Sequence, residues 1–201
     1  FFLQFALRGG ERRLRGLDVG CGTGANLALL GHFGEAHGID LHPLALALSA
    51  RRGLRNLSRA SALALPYPAR AFDVVTLLDV LYHRRVDDVT RSLTEVARVC
   101  RPGGLLVITD SAFEFLKGPH DVAYHTARRF RRHELAQLVA ASGFEILRCS
   151  YANTLLFPLA VGVRFFERLR FGPAQAHSSL GQPSRVANAV LGGVYGLEAR
   201  L

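Results

Sequence analysis

The residues with the clearest chemical potential in this chain form a glycine-rich bend and a strand-end acid. The bend, residues 17–24, reads Leu-Asp-Val-Gly-Cys-Gly-Thr-Gly, and its glycines permit positive φ and the close approach of a ligand to the main chain. A lone acid, Asp40, ends the next apolar run about 20 residues beyond the first glycine. In a parallel sheet, a carboxylate at that strand tip accepts hydrogen bonds from a ribose diol. The two features predict a nucleoside-containing cofactor bound across the carboxyl ends of two strands.

Asp18 distinguishes between the cofactors that could occupy such a bend. It lies two positions before the first glycine, where a dinucleotide places its pyrophosphate and a carboxylate would repel it. S-Adenosylmethionine has no phosphate there, and its sulfonium and amino groups attract a carboxylate. We therefore expect S-adenosylmethionine rather than a nicotinamide dinucleotide. The alternative role for Asp18 is that of a strand-end acid that binds loop amides.

Four segments occur in order at 17–24, 38–41, 64–68 with 72–75, and 101–104. They resemble the class I S-adenosylmethionine-dependent methyltransferases, in particular the small-molecule branch called the methyltransferase-11 type. The resemblance covers residues 14–150 and implies in-line transfer of a methyl group to a small or lipid-like acceptor, with S-adenosylhomocysteine as product. We expect the cofactor to contact Asp18, Gly20, Cys21, Gly22, Gly24, Asp40, Leu41, Ser61, Ala62 and Leu78.

Ser61 departs from the family pattern. The family usually has an acid just before Ala62, where it contacts the adenine amino group. A neutral hydrogen bond is worth about 1 kcal/mol, against about 1.5–3 kcal/mol for one to a charged group. We therefore expect weaker adenine recognition by Ser61, or recognition through the backbone of Ala62. The departure keeps open a non-catalytic homologue that binds the cofactor weakly.

The first candidate cluster for the methyl acceptor follows the fourth predicted strand and contains Asp79, Tyr82 and His83. The carboxyl end of that strand borders the cofactor's methyl group in the related fold, and the family often has a histidine at the place of His83. Asp79 and His83 are candidate catalytic residues, with His83 as a base or a substrate contact, and Tyr82 is a candidate substrate contact. The alternative is that these side chains cap the loop.

The second candidate cluster lies at 119–130, a region that commonly covers the site in this family. His120 and His125 are candidate bases or hydrogen-bond donors, and Tyr124 is a candidate substrate contact. Arg128 or Arg129 could hold an anionic part of the acceptor through two parallel hydrogen bonds. The alternative is that the arginines solvate the following helix. Two histidines four positions apart supply too few ligands for a typical metal site, so we expect no metal.

The net charge of +9 permits an anionic partner such as nucleic acid, a lipid headgroup or an acidic substrate. The chain has no basic strip with interleaved aromatic residues, and residues 78–81 are not the Asn-Pro-Pro-Tyr-like tetrapeptide of enzymes that methylate amino groups. We expect no nucleic-acid partner, and an RNA-directed methyltransferase remains the alternative. Cysteines at 21, 100 and 149 have no paired spacing, which favours a cytoplasmic protein without disulfides.

Apolar runs alternate with segments of helical period. This pattern predicts an α/β, doubly wound, mostly parallel Rossmann-like sheet with right-handed crossovers. Strands are expected at 15–19, 37–41, 57–62, 72–78, 105–109 and 144–151, and helices at 25–32, 43–52, 86–100 and 132–142. The final antiparallel strand of the related fold has no counterpart here, and we expect it to lie beyond residue 201.

The sequence predicts a cofactor-binding domain at 1–150 and an apolar helical extension at 151–201. Within the extension, helical periods at 155–171 and 186–201 flank a polar linker at 172–184. The apolar part of 155–171 is too short to span a bilayer, because Arg164 interrupts it. We expect it to cover the sheet or the substrate entrance. The alternative is an interfacial helix whose arginines at 164, 168 and 170 face anionic lipid headgroups.

Overall fold

One parallel sheet organises the described part of the chain. The computed structural model describes residues 13–158 and positions 161–162, 165, 192–193 and 196, except the side chains at 119 and 120. The sheet has the order β3-β2-β1-β4-β5, with β1 at Leu14–Val19, β2 at Gly34–Asp40, β3 at Leu57–Arg59, β4 at Phe72–Leu78 and β5 at Cys100–Thr109. Its strand order reverses between β1 and β4, so the carboxyl ends of these strands open the crevice in which such sheets bind ligands. The predicted fold class is confirmed.

Between residues 13 and 141, helices connect these strands or follow them. They are α1 at Ala25–Gly31, α2 at Pro43–Arg51, α3 at Val89–Val99, α4 at Pro119–Ala123 and α5 at Arg132–Ala141, with a 3-10 turn at Glu114–Leu116. Helix α3 begins later than the period of its apolar residues predicts. The side chain of Asp88 accepts a hydrogen bond from the backbone N–H of Arg91 at 2.9 Å, and such a cap fixes the first turn of a helix.

The core lies where the central strands meet α3. Leu17 and Val75 on the sheet, and Leu93 and Val96 on the helix, have no exposed surface and belong to one apolar cluster. Burial of such a side chain contributes about 1.5–3 kcal/mol. The strand ends that carry the chemical groups are therefore held by a well-packed platform.

Four of the predicted strands differ from the structure. Strand β2 begins three residues earlier than expected, at Gly34, and β3 ends three residues earlier, at Arg59. Residues 144–151 form no strand, and Ile146 and Leu147 are 40% and 78% exposed. An apolar run becomes a strand only where a neighbouring strand accepts its backbone hydrogen bonds, and in residues 13–158 none pairs with this run. Strand β5 begins early, at Cys100, because the Pro-Gly-Gly segment bulges out of it. Phe72 is paired with Cys100, and Val74 is paired with Leu105.

The predicted C-terminal extension lies largely outside the described residues. The described positions 157–158, 161–162, 165, 192–193 and 196 are helical, and the predicted linker at 172–184 is not described. Leu155 and Phe165 are 47% and 61% exposed. No helix within the described ranges has the length and apolar character needed to cross a membrane. The division into a domain and an extension stays a prediction.

Candidate active site

The glycine bend after β1 is fixed to the end of β2. The backbone N–H groups of Gly20 and Cys21 donate to the carbonyl oxygen of Ile39 at 2.8 and 2.9 Å. Gly20, Gly22 and Gly24 have φ values of 74°, 52° and 83°. A Cβ added at Gly20 would lie 2.6 Å from the Val80 side chain, and one added at Gly24 would lie 2.1 Å from the Leu54 side chain. A Cβ added at Gly22 would meet no atom within 4 Å. The positive φ values favour glycine at all three positions, and Gly22 faces open space that a ligand can enter.

Helix α2 supports this bend from behind. The buried hydroxyl of Ser49 donates to the carbonyl oxygen of Gly22 at 2.9 Å, and the Arg52 guanidinium donates to the carbonyl oxygen of Thr23 at 2.9 Å. Sequence reasoning missed Ser49, because a serine within a helix of leucines and alanines carries no signal of such a contact. The support holds the bend in one conformation before a ligand arrives.

Asp40 links the bend to the tip of β2. Its Oδ2 accepts a hydrogen bond from the Gly22 N–H at 2.9 Å, and its Oδ1 accepts one from the His42 N–H at 2.7 Å. Each carboxylate oxygen has a second lone pair, so the group retains capacity to accept hydrogen bonds from a ribose diol. Leu41, the next residue, is half-buried beside it.

Asp18 presents an unpaired carboxylate oxygen inside the protein. The residue is 1% exposed. Its Oδ1 accepts a hydrogen bond from the Thr76 hydroxyl at 2.6 Å, whereas its Oδ2 is buried without a hydrogen-bond partner among the described residues. Burial raises the pKa of this carboxyl to about 6, and the charge of Asp40 adds to that rise while Thr76 opposes it. A buried carboxylate oxygen without a hydrogen-bond partner costs free energy, and the cationic amino group of S-adenosylmethionine would donate a hydrogen bond to it.

The remaining predicted cofactor contacts surround the same strand ends. Ser61 and Ala62 lie in the turn after β3, where the Ser61 hydroxyl accepts a hydrogen bond from the Leu63 N–H at 3.1 Å and Ala62 is buried. Leu78 ends β4 and is half-buried. The Cys21 thiol is buried, and burial together with Asp18 and Asp40 raises its pKa to about 12. We name residues 18–24, 40 and 49 the cofactor cradle.

The structure joins the two predicted acceptor clusters into one surface. His83 and Thr126 form an antiparallel bridge. Beside it, the Arg84 N–H donates to the His125 carbonyl at 3.0 Å, and the Ala127 N–H donates to the Tyr82 carbonyl at 2.9 Å. The imidazole rings of His83 and His125 lie edge to face with centroids 5.8 Å apart. We name residues 79–86 and 124–129 the acceptor wall.

The acceptor wall lies beside the cofactor cradle. Burial lowers the pKa of His83, as do His125 and the adjacent arginines, whereas the charge of Asp40 raises it. The charge of Asp40, in the cofactor cradle, therefore acts on the imidazole of His83. Burial raises the pKa of the Tyr82 phenol, and Asp79 and Tyr124 add to that rise. Tyr124 itself is 54% exposed.

One strand-end acid, Asp79, belongs to the acceptor wall, and a second, Asp110, lies against it. Asp79 follows β4 with a φ of 59°, and partial burial raises the pKa of its carboxyl. Asp110 follows β5, accepts hydrogen bonds from the N–H groups of Leu81 and Ser111 at 2.9 Å each, and burial raises its pKa to about 7. Sequence reasoning missed Asp110, although its place directly after an apolar strand is the signal that singled out Asp40.

A buried ion pair holds the second half of the acceptor wall. The Arg129 guanidinium donates to the two carboxylate oxygens of Asp121 at 2.8 and 3.1 Å, and to the Ala112 carbonyl at 2.9 Å. This guanidinium therefore binds an internal acid instead of presenting its edge to a substrate. Arg128, which donates to the Asp87 carbonyl at 3.4 Å, remains the candidate for an anionic acceptor. The backbone of His120 lies in α4, and its side chain is outside the described part.

Known proteins share this fold and these motifs. A methyltransferase domain family model matches residues 17–108. Demethylmenaquinone methyltransferase of Geobacillus stearothermophilus is 30% identical over 67% of this chain and 72% of its own length. The same enzyme of Tropheryma whipplei strain Twist is 29% identical over 83% of this chain and 74% of its own length. A S-adenosylmethionine-dependent methyltransferase structure from Thermotoga maritima has a TM-score of 0.60, 26% identity, and coverage of 72% of this chain and 69% of its own.

The chain belongs to the class I S-adenosylmethionine-dependent methyltransferases. It is an enzyme of one-carbon transfer, and S-adenosylmethionine is its cofactor. The unpaired carboxylate oxygen of Asp18 and the open face of Gly22 agree with that cofactor. The nicotinamide alternative is set aside.

Proposed function

We propose that this enzyme transfers a methyl group to a small, lipid-like acceptor that lies between the cofactor cradle and the acceptor wall. Relatives of this chain act on demethylmenaquinone, which supports an acceptor of that size and character. The observation that carries the proposal is an aromatic cluster in which rings that follow β5, on the same connection as the acceptor wall, meet rings that follow α5. Phe113 is stacked on Tyr151 with centroids 4.8 Å apart, and Phe115 and Phe157 complete this aromatic cluster.

The aromatic cluster suits an apolar ring system better than a polar metabolite. Phe115 is 51% exposed, and Phe113 contacts both Phe115 and Phe157 with centroids 5.5 and 5.3 Å apart. Phe113 has a φ of 61° and a ψ of 107°, a sparsely populated conformation that costs about 1–3 kcal/mol for a residue with a side chain. The exposed ring of Phe115, beside three half-buried aromatic rings and a polar wall, provides stacking for an apolar ring and hydrogen bonds for its substituents.

S-Adenosylmethionine, when bound, supplies a methyl group that the positive sulfur activates. The chain's own residues bind and orient the reactants, which accounts for much of the rate of a two-reactant step. Asp18 and Asp40 hold the amino group and the ribose. Asp79 is the candidate proton acceptor for an acceptor hydroxyl, because its raised pKa brings the carboxyl closer to the range of an effective base.

The same proposal includes reversible contact with a membrane surface through 155–171, where a lipid-like acceptor would be found. Its support is the exposure of Leu155 and Phe165 together with a net charge of +9. Flotation of the full chain with vesicles that contain anionic lipid tests it. We expect the double variant Leu155→Ser with Phe165→Ser to float to a smaller extent than the wild-type chain. An unchanged floated fraction would contradict the proposed membrane contact.

Labelled methyl transfer tests the proposed function. The full chain is incubated with methyl-labelled S-adenosylmethionine and either reduced demethylmenaquinone or a transfer RNA transcript. We expect label in the quinol and none in the RNA. Asp40→Ala should weaken cofactor binding about tenfold or more, the effect of losing hydrogen bonds to a charged group. Label in the RNA would favour the nucleic-acid alternative, and cofactor binding without transfer to any acceptor would favour the non-catalytic homologue.

A further inference from the structure

We propose that His83 donates a hydrogen bond from Nε2–H to an oxygen atom of the methyl acceptor, and that it is not the general base. This inference rests on the proposed function and narrows its acceptor class. The acceptor carries a hydroxyl or oxyanion. Either its oxygen is the atom that is methylated, or it is conjugated with the atom that is methylated. His83 is then the residue that selects such an oxygen-bearing molecule.

The position of the ring hydrogen follows from one backbone contact. The Nδ1 atom of His83 accepts a hydrogen bond from the N–H of Arg85 at 3.1 Å. A ring nitrogen that accepts carries no hydrogen, so the neutral imidazole has its hydrogen on Nε2. A general base needs a free lone pair on the nitrogen that faces the substrate. In this tautomer the lone pair is already bound to the backbone, and Nε2 can only donate.

The surroundings keep this imidazole neutral. Burial, the neighbouring His125 and the positive charges of Arg85 and Arg84 lower its pKa, whereas the charge of Asp40 raises it. A ring that resists protonation at neutral pH is a neutral hydrogen-bond donor. The two arginines that oppose a positive imidazole also favour a negative oxygen beside it.

The backbone holds His83 in place at the edge of the crevice. Its N–H donates to the Val80 carbonyl at 3.1 Å, and its carbonyl accepts from the Val86 N–H at 2.9 Å. The bridge to Thr126 fixes the same residue from the other side of the acceptor wall. The side chain is only half-buried. A fixed donor at a reachable position is what the binding of one particular oxygen requires.

Asp79 supplies the complementary function on the same connection. Asp79 directly follows β4 with a φ of 59°, four positions before His83 in the acceptor wall, and it is exposed. A carboxylate accepts protons and hydrogen bonds, whereas the Nε2–H of His83 can only donate. The O–H bond of the acceptor breaks, its proton moves to the Asp79 carboxylate and later to solvent, and the electron pair stays on the oxygen. The Nε2–H of His83 stabilises that oxyanion, which makes the acceptor nucleophilic.

Nuclear magnetic resonance tests the tautomer without any methyl acceptor. Full-length protein labelled with ¹⁵N-histidine is measured across neutral pH, and His83→Gln assigns the signal. We expect Nδ1 at the chemical shift of an unprotonated nitrogen and Nε2 at that of a protonated one. The reverse pattern would overturn the proposal whether or not the proposed function is right.

A matched pair of variants tests the donor role, with reduced demethylmenaquinone as the probe. In His83→Gln the amide N–H₂ replaces the Nε2–H donor, and in His83→Asn the amide oxygen replaces only the Nδ1 acceptor. We expect kcat/KM within about threefold of wild type for the glutamine variant and about tenfold to a hundredfold lower for the asparagine variant. Cofactor affinity should be unchanged in both.

Two other outcomes have different meanings. Equal loss in both variants, with disappearance of the acidic limb of the pH–rate profile, would make His83 the general base and overturn the inference. If the wild-type chain does not methylate the quinol at all, the acceptor class under the proposed function is wrong. In that case the ¹⁵N measurement still decides the tautomer of His83.

Discussion

The cofactor cradle and the acceptor wall are built in different ways at the same edge of one sheet. In the cradle, positive φ values fall on glycines, and backbone groups close the bend at 2.8 and 2.9 Å. In the acceptor wall, positive φ values fall on Asp79 and His125, at 59° and 54°. Each such residue costs about 1–2 kcal/mol. The cradle is therefore relaxed, and the wall holds strain that its neighbours must offset.

The difference matches what each region has to bind. The cofactor is the same for every member of the family, so its site can be made from strand ends and packed glycines. The acceptor differs between enzymes, and its site is made from connections that vary without disturbing the core. In this chain the connections are fixed by one backbone bridge at His83 and by the buried pair of Arg129 with Asp121. Variants should therefore affect one region without the other.

The largest expected effect comes from filling the open face of Gly22. Gly22→Val should weaken S-adenosylmethionine binding by about a hundredfold, because overpacking of a ligand site costs about 3 kcal/mol. Gly53→Val is the matched control, since Gly53 also has positive φ and open space around its Cβ position. Both variants should lose similar stability in thermal unfolding. Equal affinity of the two variants by calorimetry would show that the cofactor does not approach Gly22.

Asp18 should make cofactor binding depend on pH. Its pKa of about 6 in the folded chain is above the ordinary 3.8. Its contribution to stability is therefore present below pH 3.8 and is lost as the pH rises through 6. A cationic ligand needs the ionised form, so affinity should rise about tenfold from pH 5 to pH 7. Calorimetry should show a flat profile for Asp18→Asn and an unchanged one for Asp88→Asn, whose carboxyl caps α3.

Breaking the ion pair of Asp121 with Arg129 should impair the acceptor wall and leave cofactor binding by the cradle intact. Asp121→Asn removes the carboxylate that binds Arg129, and both side chains are largely buried, at 8% and 15% exposure. We expect kcat/KM for the acceptor to fall about tenfold, the effect of losing a charged hydrogen bond. Cofactor affinity should stay within about twofold of the wild-type value. Parallel losses in both quantities would mean that the two regions form one cooperative unit.

The smallest effect should come from the support behind the bend. Ser49→Ala removes the hydroxyl that donates to Gly22, which is worth about 1 kcal/mol or about fivefold in cofactor affinity. Thr94→Ala is the control, because it removes a comparable hydroxyl from an exposed helix surface. A cofactor affinity equal to that of the control would show that the bend is rigid without α2.

The cradle was predictable because its signals are local in the sequence. Glycines that permit positive φ and an acid at the end of an apolar run are recognisable without knowledge of their neighbours. Ser49 and Thr76 were not predictable, because their partners Gly22 and Asp18 lie 27 and 58 positions away. Only the packing of α2 against β2 and β3, and the pairing of β4 with β1, bring them together.

The acceptor wall was predictable in its parts but not in its arrangement. The clusters around His83 and His125 stood out by composition. That they form one surface depends on the bridge to Thr126, and no local pattern encodes such a pairing. The use of Arg129 within the protein depends in the same way on the buried position of Asp121. Composition identifies groups that can do chemistry, and long-range contacts decide which of them face a substrate.

Cys21 illustrates a hazard that a methylating enzyme carries within itself. Its sulfur, a potential target of any reactive methyl donor, lies in the bend over which we propose that S-adenosylmethionine binds. Burial and two neighbouring carboxylates keep this sulfur protonated, with a pKa of about 12, and a thiol reacts far more slowly than a thiolate. The acids that are proposed to bind the cofactor would thereby also protect the protein from alkylating itself over many turnovers.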